Sequence, residues 1–345
     1  MDRAPDAAAP EREPFLDMLK AASIVAVVAW HVRPLVLRCG QQPGCGGLSI
    51  ALDLIQFHVL LLAVPLFFLL SLILLLRRLE SGGESYLRRR ILRLGFLYVF
   101  WTTVQFALAR WLGSGDAVSW KTLLAGGPRL PVVGASVFYF LSCLLVLSLL
   151  TGILHGIATR SRRAALATSL VLSALFVVLF EYDLWSQDLS VDSTDVTGFL
   201  PLVPLAYCLN RYGPALRRRL LPLLALCWSA CVIQETMVLL TPEHGISYYA
   251  RPSVLFGLAL LYVPAAALRA GGGPLAGFLS RHSLGIFALH KYVHLLFAPL
   301  RAHHWPLPLY AALNLAPLAE FALVLGVTAL AVFILARTPL RRTVT

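Results

Sequence analysis

The sequence predicts an all-α fold: a polytopic membrane protein built as a bundle of about ten transmembrane helices, with both termini in the cytoplasm. Of the 345 residues, 59% are hydrophobic and only 13% are charged, whereas apolar residues make up about 45 to 50% of a soluble globular domain. The apolar residues form stretches of roughly 17 to 25 residues, which is the length that an α-helix needs to cross about 30 Å of hydrocarbon. The basic residues cluster in alternate loops between these stretches. A soluble globular protein is therefore excluded.

The apolar stretches, taken in chain order, define the predicted spans. They cover residues 15–37, 54–76, 91–112, 132–154, 164–182, 199–210, 220–240, 252–268, 284–300 and 307–336. The sixth stretch is short and the last is long, so the helix boundaries are least defined there. Together the spans form a single membrane domain over residues 15–337, with a disordered cytoplasmic tail at 1–14 and a basic cytoplasmic tail at 338–345.

The placement of the cations decides what the formal net charge of +12 means. Such a charge is compatible with nucleic-acid binding, but the basic clusters lie in every second loop, at 77–93, 160–163, 211–219, 269–281 and 337–342. The positive-inside rule assigns these loops to the cytoplasm, and an even number of spans returns the chain to the side on which it starts. We therefore expect a lipid bilayer as a partner and no nucleic acid.

The spacing of cysteine and histidine predicts no metal site. No spacing is typical of zinc ligands, and His290 and His294 lie one helical turn apart without an evident third ligand. Cys39 and Cys45 flank a Gly-rich turn in the first external loop. An oxidising exterior would allow these two thiols to pair, and the sequence leaves that pairing open.

The most informative feature is the pair Lys20 and His31 in the first span. Eleven helical steps of about 100° return to within about 20° of the starting face, and the rise between the two residues is roughly 16 Å. Ionisable side chains within a membrane are expensive, so two on one face predict a functional site. Asp17 lies on nearly the same face as Lys20 and could orient it through an ion pair. Three further ionisable groups in the apolar stretches are expected to cap or pair locally rather than to react: His58, Glu235 and Glu320.

Two neighbouring segments carry further motifs. In residues 64–71, a proline that loosens the backbone ladder precedes two adjacent aromatic residues, Phe67 and Phe68, and then Ser71. By itself this is a kinked, well-packed helix. The following loop ends in an arginine run, and Arg90 and Arg93 share one face at the start of the third span. Guanidinium groups bind phosphate bidentately, so this face predicts a nucleotide-bearing cofactor, with attraction to anionic lipids as the alternative.

Several segments, in this order, resemble the integral-membrane acyltransferase family 3, bacterial O-acyltransferases with a ten-helix membrane domain. Lys20 and His31, with ten residues between them, resemble the Arg and His of the family's first helix. Residues 67–71 are similar to its Phe-Phe-x-x-Ser-Gly element, 90–93 to its arginine pair, and 283–290 to its Ser-x-Gly-x-Tyr-x-x-His ending. Residues 137–141 match an aromatic patch on the fourth helix less well. Three positions depart from the pattern: Lys20 replaces Arg, Leu72 replaces Gly and Phe287 replaces Tyr.

The resemblance implies transfer of an acyl group, usually acetyl, from acyl-CoA to a hydroxyl of a saccharide or glycan. The enzyme would be a multi-pass protein of the bacterial cytoplasmic (inner) membrane, with acyl-CoA as co-substrate and no permanently bound cofactor. His31 would act as the general base that removes the proton of the acceptor hydroxyl. Asp17 would support this catalytic group by orienting Lys20, and Ser71 would help to stabilise the oxyanion.

The expected binding residues fall into two sets, one for each substrate. The phosphates of the cofactor would bind to Lys20, Arg89, Arg90 and Arg93. The acceptor would meet Phe67, Phe68 and His290. Two alternatives stay open. The first is a component that exports saccharides or lipid-linked intermediates, because polar groups within ten helices are also typical of transporters. The second is an acyltransferase that acts on a small, macrolide-like molecule.

Overall fold

The computed structural model describes residues 13–32, 46–113, 119–130, 133–186, 196–240, 246–266, 272–302 and 316–344. Within these ranges the chain is helical and forms no β-strand, which confirms the predicted all-α fold. Seven of the described helical segments are long and apolar enough to cross a membrane. The protein is therefore a multi-pass membrane protein. Cys39 and Cys45 lie outside the described residues.

The helices are numbered in chain order. They are α1 (Pro14–Val32), α2 (Gly46–Val59), α3 (Ala63–Glu80), α4 (Glu84–Trp111), α5 (Trp120–Leu124), α6 (Tyr139–Arg160), α7 (Arg162–Ser186), α8 (Leu202–Leu239), α9 (Pro252–Ala265), α10 (Pro274–Ala302), α11 (Ala316–Leu335) and α12 (Arg341–Val344). Two helices begin well before the predicted spans, α4 before residue 91 and α10 before residue 284. Apolarity marks only the part of a helix that lies in hydrocarbon, and the helix continues into the polar sequence beside it.

A short 3₁₀ turn interrupts the second predicted span. Leu60–Leu62 separates α2 from α3 and lies just before Pro65. Proline has no backbone N–H, so the carbonyl of Leu61, four residues earlier, cannot accept the usual helical bond. Short 3₁₀ turns are common where an α-helical hydrogen bond is missing in this way. The prediction that this proline loosens the backbone ladder is confirmed.

The start predicted for the fourth span at residue 132 is wrong, because turns precede the helix there. α6 begins at Tyr139, and Leu130 and Gly134 form an isolated bridge within the preceding segment. Gly127 has a φ of +121°, which residues with side chains rarely adopt. A Cβ atom at Gly127 would also lie 2.5 Å from Cγ of Gln105. The glycines therefore fold this apolar segment into a compact turn against α4.

The sixth and seventh predicted spans lie within one helical element, α8. Its beginning runs beside α3, since the Arg77 Nε donates to Asn210 Oδ1 over 3.1 Å. Its far end contacts α2, where Thr236 Oγ1 lies 3.1 Å from His58 Nε2. The two stretches that the sequence predicts as separate spans are therefore continuous in the described structure.

The helices α1 and α10 pack against each other inside the bundle. α1 packs against α3, α10 and α11, and Ile24 and Val28 on α1 are fully buried. The described end of the chain also packs into the bundle, because the indole of Trp101 donates to the carbonyl of Thr343 over 3.1 Å. Polar groups on the inner faces of α1 and α10 consequently meet other protein groups inside the bundle.

Candidate functional site

Among the cavities lined by described residues, two share a wall residue, Phe287 on α10. The larger one, the basic cavity, has a volume of about 560 Å³. Its lining comprises Lys20, Phe67, Ser71, Leu74, Tyr86, Arg89, Arg90, Arg93, Leu94, Leu97, Phe140, Leu144, Ser283, Leu284 and Phe287. The smaller one, the aromatic cavity, has a volume of about 150 Å³. Its lining comprises Val27, Trp30, His31, Leu60, Leu61, Val64, Ala135, Ser136, Val137, Tyr139, Tyr248, Tyr249, Phe287 and Lys291.

The basic cavity is built to receive an anion. Four cationic side chains line it, and none of its described lining residues is acidic. The guanidinium of Arg90 is fixed by two hydroxyls, because its Nη2 donates to Ser71 Oγ over 2.6 Å and its Nε donates to Ser148 Oγ over 3.1 Å. Arg89 is more exposed and bonds only weakly to Ser85, over 3.3 Å. Arg90 is therefore the preorganised member of the group, and planar guanidinium groups bind phosphates bidentately.

The beginning of α1 and that of α10 are joined near this cavity. The Ser280 hydroxyl donates to the Asp17 carboxylate over 2.6 Å. Asp17 precedes His31 by fourteen residues, which is about 21 Å along α1. Its carboxylate thus fixes the packing of α1 against α10 at the end remote from His31.

Two histidines from distant parts of the chain meet beside the aromatic cavity. The ring centroids of His31 on α1 and His290 on α10 are 5.0 Å apart, with an interplanar angle of 36°. His290 is fully buried, and its Nδ1 lies 2.7 Å from the carbonyl of Phe287 and 3.2 Å from that of Ile286. Carbonyl oxygens only accept, so Nδ1 carries the hydrogen and Nε2 of the neutral ring carries the lone pair. That Nε2 has no hydrogen-bond partner among the described residues.

One wall of the aromatic cavity is the glycine-directed turn, which is tied to α10. The Lys291 ammonium donates to the carbonyls of Val133 over 3.1 Å and Ala135 over 2.5 Å. On the outer side of the same turn, the Gln105 amide donates to the Pro128 carbonyl over 2.8 Å. These bonds explain how a cation is accommodated at depth, because its donors are satisfied by backbone oxygens.

The opposite wall is held by a buried ion pair between Arg251 and Glu235. Both side chains are 1% exposed, and Arg251 Nη1 lies 2.8 Å from the Glu235 carboxylate. The Arg251 Nε donates to the carbonyl of Tyr248 over 3.1 Å, and His58 Nδ1 lies 3.7 Å from the same carboxylate. Burial raises the pKa of the adjoining Tyr249 phenol to about 12, so this wall presents a neutral ring at physiological pH.

The interpretation that the isolated polar groups pair locally is confirmed by these contacts. Glu235 and His58 belong to the Arg251 cluster. Glu320 on α11 pairs with His294 on α10, with 3.1 Å between the carboxylate and Nε2. Neither His294 nor Glu320 lines either cavity.

A family model described as an acyltransferase domain, that of acyltransferase family 3, matches residues 13–337. The chain belongs to acyltransferase family 3. The protein is accordingly an acyltransferase, and the family match extends over both cavities and all the helices that build them. Neither the curated proteins nor the solved structures gave a match.

Within this acyltransferase, the predicted site residues separate into two groups. Lys20, Phe67, Ser71 and the three arginines share the basic cavity, whereas His31 lies in the aromatic cavity. The structure therefore does not bring Ser71 or Asp17 beside His31. Phe68 lines neither cavity, since it is fully buried and stacks on Phe140 with 4.6 Å between ring centroids.

Several residues of the acyltransferase site were not anticipated from the sequence. In the sequence, Arg251 cannot be distinguished from the other loop cations. Ser148 is likewise only one of several hydroxyl residues in the apolar spans. Lys291 was recognisable only as a neighbour of His290. The available signal was a polar residue within or beside an apolar stretch, which indicates that a partner exists but not where it lies.

Proposed function

We propose that this acyltransferase moves an acyl group from acyl-CoA to a hydroxyl of a saccharide or glycan, in the bacterial cytoplasmic membrane. The observation that carries the proposal is the arrangement of two chemically different cavities on either side of Phe287. One is cationic and the other is lined by aromatic rings and a histidine. A group-transfer enzyme needs such a division, because donor and acceptor must approach the same point from different sides.

The basic cavity is the proposed site of acyl-CoA. Arg90, Arg93, Arg89 and Lys20 would neutralise the phosphates of the cofactor, with Arg90 already held in position by Ser71 and Ser148. The pantetheine arm would extend along the apolar inner wall toward Phe287. The rise of roughly 16 Å between Lys20 and His31 along α1 is comparable to the reach of this extended arm. Ser71 then serves to position Arg90 rather than to bind the oxyanion.

The aromatic cavity is the proposed site of the acceptor. Sugar rings stack on aromatic side chains, and Trp30 packs edge-on against Tyr248 with 5.9 Å between ring centroids. The cavity volume of about 150 Å³ suits one sugar residue rather than a long segment of glycan. Tyr248 and Tyr249 offer hydroxyls that can bind the remaining oxygens of the sugar.

His31 is the proposed general base at the meeting point of the two substrates. Its imidazole would accept the proton of the acceptor hydroxyl while the oxygen attacks the thioester carbonyl. The carbon–sulfur bond then breaks, and the thiolate of CoA leaves with the proton that His31 has received. The acyl group stays on the acceptor oxygen, so atoms and charges balance without a bound cofactor.

Incubation of the purified protein with acetyl-labelled acetyl-CoA and an extract of glycans and lipids from a deletion strain tests this proposal. We expect labelled acceptor with the wild-type protein and none with His31→Ala, at equal amounts of membrane-inserted protein. Mass spectrometry of the same strain should show the loss of one acyl increment from a glycan. Transfer at the wild-type rate by His31→Ala would refute the role of this base.

A further inference from the structure

We propose that His290 is a positioning residue for His31: its Nε2 accepts the ring N–H of His31 and thereby leaves the other nitrogen of His31 as the base that faces the acceptor. This inference rests on the proposed function, because it assigns a partner to the proposed general base. It reassigns His290, which the sequence pattern suggested as a residue that contacts substrate.

The first step of the argument is the fixed tautomer of His290. Its Nδ1 lies within hydrogen-bonding distance of two backbone carbonyls, those of Phe287 and Ile286. These oxygens cannot donate, so the ring hydrogen is committed to Nδ1 and the lone pair to Nε2. The helix backbone of α10 therefore sets the chemical character of Nε2 as an acceptor.

The second step is that this acceptor is buried without a partner. His290 is fully buried, and its Nε2 makes no hydrogen bond within the part of the chain that the structure describes. A buried polar atom left in this way is costly and needs an explanation. His290 lines neither cavity, so a substrate in either cavity does not supply the missing hydrogen.

The third step is the distance to His31. An N–H···N bond of about 2.9 Å between two imidazoles places their centroids about 5 Å apart, and the observed separation of the two rings is 5.0 Å. The two rings are therefore at the separation that such a bond requires.

The consequence is a base with a defined direction. When one nitrogen of His31 donates to His290, the other nitrogen must carry the lone pair, and His31 lies on the wall of the aromatic cavity. After His31 takes the acceptor proton, the imidazolium still donates to Nε2, and this charge-assisted bond stabilises the positive charge. The same logic places an orienting group behind the base in other nucleophile–base systems.

Charged neighbours of the pair are committed elsewhere. The ammonium of Lys291 donates to the carbonyls of Val133 and Ala135. His294, one turn farther along α10, is paired with Glu320 of α11. The ring separation of 5.0 Å makes His290 the group placed to accept from His31.

The test compares variants that keep or remove an acceptor at the position of Nε2. His290→Gln keeps an amide oxygen at that reach, His290→Asn carries a shorter amide that reaches only the position of Nδ1, and His290→Leu removes all polar atoms. His282→Gln is the matched control, since His282 is another buried histidine of α10 that lines neither cavity. Labelled acetyl-CoA and the acceptor extract are the substrates, and thermal unfolding in detergent checks the fold of each variant.

We expect His290→Leu and His290→Asn to lower kcat by about 10- to 100-fold, which is the loss typical when the group that orients a metal-bound histidine is removed. The KM for acetyl-CoA should stay within about twofold of the wild-type value. His290→Gln should recover most of kcat, and His282→Gln should match the wild type. Combined with His31→Ala, the His290 changes should cause no further loss, because residues that act as a unit are not additive. If His290→Leu fails to fold, the comparison of the Gln and Asn variants decides the question alone.

The inference is overturned if the Gln and Asn variants lose kcat equally, if only KM changes, or if the His290 effect persists in full in the His31→Ala background. Failure of the proposed function has a different signature. If the His31→Ala variant transfers the label at the normal rate, the proposed function itself is wrong. If His31→Ala is inactive but His290→Leu is fully active, only the positioning role of His290 is refuted.

Discussion

Replacement of Arg90 by alanine is expected to weaken acyl-CoA binding and to leave the chemical step almost unchanged. The structure holds the Arg90 guanidinium with the hydroxyls of Ser71 and Ser148, so little order is lost when a phosphate binds. A hydrogen bond to a charged group contributes about 1.5 to 3 kcal/mol, which corresponds to an increase of about 10- to 150-fold in the KM for acetyl-CoA. Because the phosphates lie far from the reacting carbonyl, kcat should fall by only a few-fold at most.

Initial rates at a series of acetyl-CoA concentrations, with the protein in nanodiscs, measure this effect. Arg89→Ala is the matched control, because Arg89 is more exposed and a solvated charge contributes only about 0.2 to 1 kcal/mol. Ser71→Ala should fall between the two, since it removes one of the hydroxyls that hold Arg90. An Arg89→Ala effect as large as that of Arg90→Ala, or a loss of kcat without a change in KM, would refute the assignment of Arg90 as the preorganised phosphate ligand.

Three further predictions test the walls of the site. Lys20→Arg restores the residue that the family pattern carries and should keep or raise kcat/KM for acetyl-CoA, and a collapse of activity in this variant would contradict a phosphate-binding role for Lys20. Gly127→Ala places a Cβ 2.5 Å from Gln105 at a φ of +121°. The resulting backbone strain of about 1 to 3 kcal/mol should distort the turn and raise the KM for the acceptor. An unchanged acceptor KM would show that the turn does not shape the cavity. Glu235→Ala leaves Arg251 buried without its partner and should destabilise the protein by about 3 to 5 kcal/mol. This loss should appear as a lower thermal unfolding midpoint in detergent. An unchanged midpoint would mean that the ion pair does not support the wall of the aromatic cavity.

Much of the fold follows from the sequence alone, because lipid restricts the possible structures. In hydrocarbon every backbone polar group needs an internal partner, so long apolar stretches can only be helices. The position of the break before Pro65 also follows, since that residue lacks a donor. Helical periodicity likewise places Lys20 and His31 on one face of α1 without any knowledge of the neighbouring helices. These features depend on local composition and spacing.

The partners of those residues were decided by the tertiary structure. His290 lies beside His31 although 259 positions separate them in the chain, and Ser71 turned out to hold Arg90 rather than to approach His31. Apolar periodicity shows which face of a helix is buried, but several neighbouring helices could cover that face. Only the packing of α1 against α10 places the two imidazoles together and sets Phe287 between the two cavities, because contacts between distant segments depend on how the whole bundle fills its interior.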